Sequence, residues 1–223
     1  MVHSAPPGSS SNFLEKNQKK VRKPPTARHL DRSSGRRAGA SEEGWWRPGG
    51  HSFGGQALAL TDEAFHVERA LLVGAQSTPM PHWTWRDRAR FMPVLYGVAP
   101  VVSHVAGYTP GWLGLSEDLP TGVMQEWTRW LRSPGYLFDH VAGASERAAA
   151  LPLTLEAWAI ADDDYAPPPA VRDLVRRFDS AQRQLRDIRP SEVGVRRIGH
   201  FGAFRRRFAE TLWPQAASAL LDC

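Results

Sequence analysis

A serine stands between glycines near the start of the apolar part of the chain. Residues 50–54 read Gly-His-Ser-Phe-Gly, a G-x-S-x-G pattern centred on Ser52. A nucleophilic serine of this kind projects from a sharp turn between a strand and a helix, where glycines avoid collisions across the turn. The helix that follows would direct N–H groups at developing negative charge, and we expect the backbone N–H of Phe53 to be one oxyanion donor. The pattern predicts a serine nucleophile, and a glycine-rich turn without chemistry is the alternative.

A serine nucleophile needs a base, and the base needs a carboxylate that orients it. The chain supplies both in the order serine, acid, histidine. Asp162, Asp163 and Asp164 follow an apolar segment, and His200 lies in a later glycine-containing turn. Asp163 is 111 residues after Ser52 and 37 residues before His200. Each feature alone is typical of a solvated loop or a turn, but their order together predicts a catalytic triad. The spacing leaves the choice among the three aspartates open.

Apolar segments that could position these residues alternate between two types. We predict strands over 69–75, 151–161 and 184–188, and helices over 54–64, 121–132, 168–178 and 201–221, the last one disturbed near Pro214. Short apolar runs are typical of buried strands, and residues 121–132 repeat apolar side chains at helical spacing. The residues on that helical face are Val123, Met124, Trp127, Trp130 and Leu131. The alternation predicts an α/β fold with a parallel sheet flanked by helices.

The composition is that of a globular protein with a strongly basic first segment. Hydrophobic residues make up 42% of the chain, enough for a sizeable core. Residues 1–40 hold nine of the 28 Lys and Arg and two of the 23 Asp and Glu, which leaves 19 basic and 21 acidic residues in the remainder. We predict a disordered basic segment over 1–48 and a folded domain over 49–223. The basic cluster at 16–23 could contact polyanions, but no motif that reads nucleic acid follows it, so we expect no nucleic-acid partner.

The sequence argues against disulfide bonds, a metal site and a cofactor. A single cysteine, Cys223, excludes an internal disulfide and a cysteine-built zinc site. The histidines outside the serine turn and position 200 are not paired with carboxylates at metal-ligand spacing, so we expect no metal and no cofactor. His51 is expected to pack rather than to catalyse.

The most apolar stretch, 92–102, contains two prolines and is too short to span a bilayer, and the first 30 residues lack a signal-like apolar core. We therefore expect a cytoplasmic protein without a membrane partner.

Four segments resemble one family. Residues 50–60 (GHSFGGQALAL) look like the nucleophile elbow of α/β-hydrolases, specifically of bacterial hydrolases related to the serine-aminopeptidase-like group. Residues 113–130, 162–167 and 197–205 resemble the same group, so the resemblance covers about residues 50–221. It implies a helical cap over about 77–143, whose tryptophans would line an acyl pocket. Ordinary core packing is the alternative for those tryptophans.

The resemblance also assigns roles. It implies Ser52 as nucleophile, His200 as base and one aspartate of the triplet as the orienting acid. We expect that acid to be Asp163, because loops of the family often place a proline four residues after the acid, where Pro167 stands. Asp162 is the second choice.

The chain departs from the family just before the serine. Residues 42–49 (EEGWWRPG) stand where the family has the strand that leads to the elbow, and Pro48 and Gly49 disfavour a central strand. We therefore expect an incomplete α/β-hydrolase fold that lacks the first half of the sheet. The loop that donates the second oxyanion N–H would be lost with it, and one such donor contributes about 100- to 1000-fold in rate.

Three functions follow from these observations. The first is a serine hydrolase that acts on an ester, amide or other acyl bond of a small molecule. The second is a truncated, inactive hydrolase remnant, and the third, ranked lowest, is a binding protein that uses its basic N-terminal arm. Neither the substrate nor the oligomeric state can be predicted from the sequence.

Overall fold

The structure is a computed structural model of the 223-residue chain and describes residues 47–77, 80–115 and 117–221. The predicted disordered segment over 1–48 therefore lies outside the described residues, apart from its last two positions. Cys223 lies outside them as well.

A sheet of four parallel strands forms the centre of the described chain. The described chain has six strands in all, which are β1 (Gly49–His51), β2 (Arg69–Val73), β3 (Tyr108–Thr109), β4 (Leu119–Pro120), β5 (Thr154–Ile160) and β6 (Gln182–Ile188). The sheet has the order β1-β2-β5-β6, whereas β3 and β4 form a separate antiparallel pair. Leu72 of β2 lies opposite Gly50 on one side and Ala157 on the other, so the register is continuous. The predicted α/β class and the three predicted strands are confirmed, with ends shifted by up to three residues.

A short strand precedes Ser52. Pro48 and Gly49 were expected to disfavour a central strand here, and β1 forms instead at the edge of the sheet, where it pairs in parallel with β2. The carbonyl of Pro48 accepts the N–H of Leu71 at 3.1 Å, and the N–H of Ser52 donates to the carbonyl of Val73 at 3.1 Å. A proline lacks only the donor, so it fits at the start of an edge strand that uses its carbonyl alone. Among the described residues, no strand pairs with the outer edge of β1.

Seven α-helices accompany the sheet in the described part of the chain. They are α1 (Phe53–Gln56), α2 (Trp85–Pro93), α3 (Ala99–Ala106), α4 (Thr121–Leu131), α5 (Ala144–Ala150), α6 (Pro168–Val175) and α7 (Leu212–Leu221). The predicted helix over 54–64 is wrong as a single element, because α1 ends at Gln56 and 3₁₀-helices follow at 57–59 and 62–66. Thr61 separates the last two, since its side chain accepts the N–H of Glu63 and caps the second one.

The final helix is shorter than predicted. The prediction placed it over 201–221 with a disturbance at Pro214, but α7 begins at Leu212 after a 3₁₀-helix at Arg206–Phe208. Pro214 therefore lies in the first turn of α7, where a missing N–H costs no hydrogen bond. The helix predicted over 168–178 is confirmed as the shorter α6.

A helical insertion connects β2 to β5. It contains α2, a π-helical turn at Val94–Val98, and α3, α4 and α5, with 3₁₀-helices at Met80–His82, Gly111–Leu113 and Tyr136–Asp139. The predicted apolar face of α4 is confirmed in part, because Met124, Trp130 and Leu131 are buried. Trp112 is 77% exposed and therefore does not pack in the core. The insertion includes the region predicted as a cap over 77–143.

The central strands β2 and β5 bury both faces of the sheet, as is typical of parallel strands, whereas β1 and most of β6 are exposed or half-buried at its edges. Alternate residues point to opposite sides, so Leu72, Leu155 and Ala157 join the core that includes the insertion and α6. Leu71, Val73 and Trp158 face the other side and pack with residues of α7. Across the residues that the structure describes, no helix is both long enough and apolar enough to cross a membrane.

Candidate active site

Ser52 occupies a strained turn between β1 and α1. Its backbone has φ 51° and ψ −122°, a conformation that costs a non-glycine residue about 1–3 kcal/mol and persists only where the surroundings impose it. Two glycines allow the strand and the helix to approach each other. A Cβ on Gly50 would lie 2.6 Å from the Cα of Gly55, and a Cβ on Gly55 would lie 2.5 Å from the Cβ of Ala75. Gly50 and Gly55 are therefore required by close packing, whereas a Cβ on Gly54, the second glycine of the G-x-S-x-G pattern, would meet nothing within 4 Å.

Ser52, His200 and Asp163 form one continuous chain of hydrogen bonds. The Nε2 atom of His200 lies 2.9 Å from the Oγ of Ser52, and its Nδ1 lies 2.7 Å from the Oδ2 of Asp163. The side chains of His200 and Asp163 are 4% and 0% exposed. The three residues follow β1, β6 and β5 respectively, and the carboxyl ends of parallel strands lie at one edge of the sheet. This edge brings together residues separated by up to 148 positions.

The backbone after β5 fixes the carboxylate of Asp163. While Oδ2 faces the histidine, Oδ1 accepts the N–H groups of Tyr165 at 2.9 Å and Ala166 at 2.8 Å. The acceptor capacity of this buried carboxylate is thereby used on both oxygens, which holds its orientation. Within the aspartate triplet, the position that contacts the candidate base is Asp163.

The two neighbouring aspartates have different partners. The carboxylate of Asp162 accepts the backbone N–H groups of Ile198 at 2.9 Å and Gly199 at 3.1 Å. Asp164 is partly exposed and pairs with Arg197 at 3.0 Å and with a second arginine, Arg90, at 3.6 Å. Asp162, the second choice for the acid, therefore holds the loop of the histidine instead of its ring.

Aromatic side chains enclose the ring of His200. The ring of Tyr165 stacks on it with centroids 5.2 Å apart, and the rings of His51 and Phe201 lie 4.7 Å and 4.8 Å away. The hydroxyl of Tyr165 also donates to the carbonyl of Gly114 in the insertion. These contacts leave the imidazole little freedom to rotate away from Ser52.

His51 packs against the candidate base without joining the hydrogen-bond chain. Its Nε2 lies 3.0 Å from the backbone carbonyl of His200, so this nitrogen carries a proton and donates. Burial lowers the pKa of His51, and the nearby charge of His200 lowers it further. The neutral form is therefore favoured, as expected for a packing residue.

Phe53, the residue predicted to supply an oxyanion donor, begins the helix directly after Ser52. Phe53 is the first residue of α1, and the first N–H groups of a helix have no partner within the helix. Its ring stacks on that of Trp130, with centroids 6.0 Å apart and planes 11° apart. This contact anchors the start of the helix next to Ser52.

One functional position was missed by the sequence reasoning. Gly74 follows β2 with φ 58°, and a Cβ there would lie 3.2 Å from the Oδ2 of Asp163 and 3.4 Å from the Nδ1 of His200. A glycine directly after the apolar run Arg69–Val73 was the available signal, because the carboxyl ends of parallel strands form the site. Within residues 47–77, 80–115 and 117–221, no group of three or more His, Cys, Asp or Glu side chains could hold a metal ion.

Comparisons with known proteins give distant structural similarities. No family model and no curated protein sequence matches the chain. A monoacylglycerol lipase from Paleococcus ferrophilus aligns at 13% identity and a TM-score of 0.43, covering 78% of this chain and 67% of the lipase. A 2-hydroxy-6-oxo-6-phenylhexa-2,4-dienoate hydrolase from Rhodococcus sp. strain RHA1 aligns at 15% identity and a TM-score of 0.39, covering 77% and 62%. The esterase domain of a Rhodothermus marinus protein aligns at 12% identity and a TM-score of 0.39, covering 78% and 59%.

This chain thus spans about three-fifths to two-thirds of the length of those proteins. A strand, a strained serine turn and a helix are followed by a strand-borne aspartate and a later histidine, which is the order used by α/β-hydrolases. The described part of the chain is therefore a partial α/β-hydrolase fold.

Proposed function

We propose that the protein is a serine hydrolase that cleaves an ester, amide or other acyl bond of a small molecule. Ser52 is the nucleophile, His200 the general base and Asp163 the acid that orients it. The observation that supports this proposal is the unbroken hydrogen-bond chain from the Oγ of Ser52, through both ring nitrogens of His200, to the Oδ2 of Asp163. A nucleophile, a base and an orienting carboxylate at these distances are what acyl transfer by serine requires.

The first half of the reaction transfers the acyl group to the protein. His200 Nε2 takes the proton of the Ser52 hydroxyl while Oγ forms a bond to the carbonyl carbon, and the π electrons of the carbonyl move onto its oxygen. The tetrahedral intermediate collapses when this electron pair returns and the bond to the leaving group breaks. The leaving group takes the proton from Nε2, so His200 ends neutral and Ser52 ends acylated.

The second half releases the acyl group as an acid. A water molecule gives a proton to the Nε2 of His200 as its oxygen bonds to the acyl carbon, and the π electrons of the carbonyl move onto the carbonyl oxygen. When this electron pair returns, the bond to the Oγ of Ser52 breaks, and Oγ recovers the proton from Nε2. The sum of the two halves is hydrolysis, and the protein returns to its initial state.

Two further groups support these steps. The carboxylate of Asp163 accepts the Nδ1–H of His200, which leaves Nε2 free to accept the serine proton and stabilises the imidazolium that forms. The N–H of Phe53 donates to the oxygen that becomes negative in the intermediate. The partner of Phe53 in this role, which the family takes from a loop before the elbow, is not among the described strands and turns.

Covalent labelling with a fluorophosphonate probe tests the proposal, because the probe reacts only with an activated serine. We expect the wild-type protein to be labelled and Ser52→Ala to be unlabelled. The control is Ser191→Ala, since Ser191 is an exposed serine of the 3₁₀-helix Pro190–Val193 outside the hydrogen-bond chain. This variant should be labelled at the wild-type rate.

The inactive-remnant alternative predicts a different outcome. If folded wild-type protein is labelled no faster than Ser52→Ala, the chain holds the three residues in place without activity, and the serine hydrolase proposal is wrong. Circular dichroism and a cooperative thermal transition establish that the proteins compared are folded. The lower-ranked binding function of the basic arm concerns residues outside the described part of the chain.

A further inference from the structure

A large cleft opens beside the candidate base. It has a volume of about 710 Å³ and reaches His200. One wall is formed by Asp164 and Tyr165, which follow β5, and the other by the loop between β6 and α7. The cleft is thus adjacent to the hydrogen-bond chain of the site.

The cleft is strongly basic. Arg196, Arg197, Arg205 and Arg207 line it, and Asp164 is the one acidic residue among its lining, which gives four positive charges against one negative charge. Arg197 pairs with Asp164 at 3.0 Å. Within the described part of the chain, no other carboxylate lies within ion-pairing distance of the four guanidinium groups. Three positive charges therefore remain for a ligand.

Contacts to the protein fix the position of one of these charges. The guanidinium of Arg207 donates to the backbone carbonyl of Arg197 at 2.7 Å and lies 4.7 Å from the centre of the ring of Phe208. Such contacts reduce the conformational entropy that a flexible arginine loses on binding. The guanidinium of Arg207 is therefore partly preorganised to receive an anion.

The position of the cleft relative to His200 determines which part of a substrate it would hold. The cleft is lined by His200 but not by Ser52 or Phe53, which would hold the acyl carbonyl. In the proposed reaction, His200 gives its proton to the leaving group, so the leaving group lies on the histidine side of the site. The basic cleft is therefore on the leaving-group side of the reaction.

We infer that the protein prefers substrates whose leaving group carries an oxyanion, held by the arginines of this cleft. This inference rests on the proposed function and names its substrate class. A planar guanidinium binds carboxylate and phosphate through two parallel hydrogen bonds, so both oxyanions fit the cleft chemically. The preference belongs to the alcohol or amine part of the substrate, whereas the acyl part contacts Ser52 and Phe53.

The test compares three acetate esters that share one phenol skeleton. They are 4-acetoxybenzoate, its uncharged methyl ester and 4-acetoxyphenylphosphonate, which carry a carboxylate, no charge and a phosphonate on the leaving group. The ratio of kcat/KM between a charged ester and the uncharged ester is measured for each protein. Comparison of this ratio between proteins cancels the intrinsic reactivity of the esters.

The protein with the altered cleft is the double variant Arg196→Gln, Arg205→Gln. The matched control is Arg129→Gln, because Arg129 is an exposed arginine of α4 that does not line the cleft. All of these arginines are exposed, so the substitutions leave the fold intact, and thermal unfolding checks this. One exposed ion pair contributes up to about 5-fold in affinity, so we expect the double substitution to lower the ratio by about 5- to 20-fold.

The possible outcomes separate the inference from the function on which it rests. A lower ratio for the carboxylate ester, the phosphonate ester or both supports the inference and identifies the oxyanion. An unchanged ratio in the double variant, with all three esters cleaved, refutes the inference and leaves the hydrolase function standing. If the wild-type protein cleaves no ester faster than Ser52→Ala does, both the inference and the proposed hydrolase function are wrong. In the wild-type protein, raising the salt from about 0.05 M to about 0.5 M should also lower the ratio, because salt screens exposed charges.

Discussion

Asp162 and Asp163 are adjacent in the chain, yet their carboxylates hold two different parts of the loop that carries the histidine. Asp163 contacts the Nδ1 of the His200 ring at 2.7 Å. Asp162 accepts the backbone N–H groups of Ile198 and Gly199, which immediately precede that ring. The orientation of the base therefore depends on two carboxylates, one for the ring and one for the backbone.

The substitution Asp162→Asn tests the backbone contact. One oxygen becomes an NH₂ group, which places a donor against a backbone N–H and leaves that N–H without an acceptor. We expect the free energy of unfolding to fall by about 1–3 kcal/mol, and the rate of fluorophosphonate labelling to fall because the ring is held less firmly. Denaturant unfolding and labelling kinetics measure the two effects. The control is Asp187→Asn, which removes a partly exposed ion pair with Arg172 and should change both quantities little.

The substitution Asp163→Asn tests the ring contact. The amide oxygen can still accept the two backbone N–H groups, but its NH₂ group then faces Nδ1 and favours the tautomer with the proton on Nε2. In that tautomer, His200 cannot accept the proton of Ser52. We expect labelling to slow by about 1,000- to 10,000-fold while the protein stays folded. Labelling at the wild-type rate would show that Asp163 does not orient the base.

A side chain at Gly74 is predicted to disturb the site more than the fold. In Gly74→Ala, the left-handed backbone costs about 1–2 kcal/mol, and the added Cβ lies 3.2 Å from the carboxylate of Asp163. Gly107→Ala is a matched control, because Gly107 has φ 78° and a Cβ there meets nothing within 4 Å. We expect both variants to lose similar stability in denaturant unfolding, but only Gly74→Ala to lose labelling. Equal labelling of the two variants would contradict the crowding argument.

The stability of the fold should depend on pH through His51. Burial lowers the pKa of His51 below its ordinary value of 6.5, and the charge of His200 adds to this. As the pH falls below 6.5, the unfolded chain takes up a proton before the folded protein does, so stability is lost towards acid and recovered towards neutral pH. The carboxylate of Asp163 opposes this shift.

We expect His51→Gln to reduce the loss of stability at acid pH, because glutamine can donate to the carbonyl of His200 without titrating. The measurement is the free energy of unfolding between about pH 8 and about pH 5 for both proteins. His66→Gln, a substitution at an exposed histidine, should retain the wild-type dependence. If wild type and His51→Gln lose the same free energy of unfolding at acid pH, His51 is not the source of that loss.

Local sequence patterns predicted the parts of the site that depend on neighbouring residues. The glycines around Ser52 predicted a strand–turn–helix unit because the close approach of Gly50 and Gly55 excludes other residues locally. The apolar runs predicted β2 and β5 because burial on both faces of a parallel sheet leaves a continuous apolar signature. The length of α1 was mispredicted, since the residues after Gln56 are equally compatible with α- and 3₁₀-turns until Thr61 ends the segment.

Contacts between segments that are distant in the chain determined the parts of the site that local patterns did not predict. β1 formed despite Pro48 and Gly49 because β2 supplies the partner groups that a short edge strand needs, and no local pattern contains that information. The surroundings of the candidate base could not be predicted either, because the ring of His51 belongs to β1 and the ring of Tyr165 to the loop after β5.

The sequence by itself determined the class of fold, the serine turn and the order of the three residues. All of these are properties of neighbouring side chains or of position along the chain. Only the tertiary structure decided which aspartate contacts His200 and that the arginines after β6 face a common cleft. The reason is physical, because three consecutive aspartates have the same chemistry and differ only in the partners that the folded backbone presents to them.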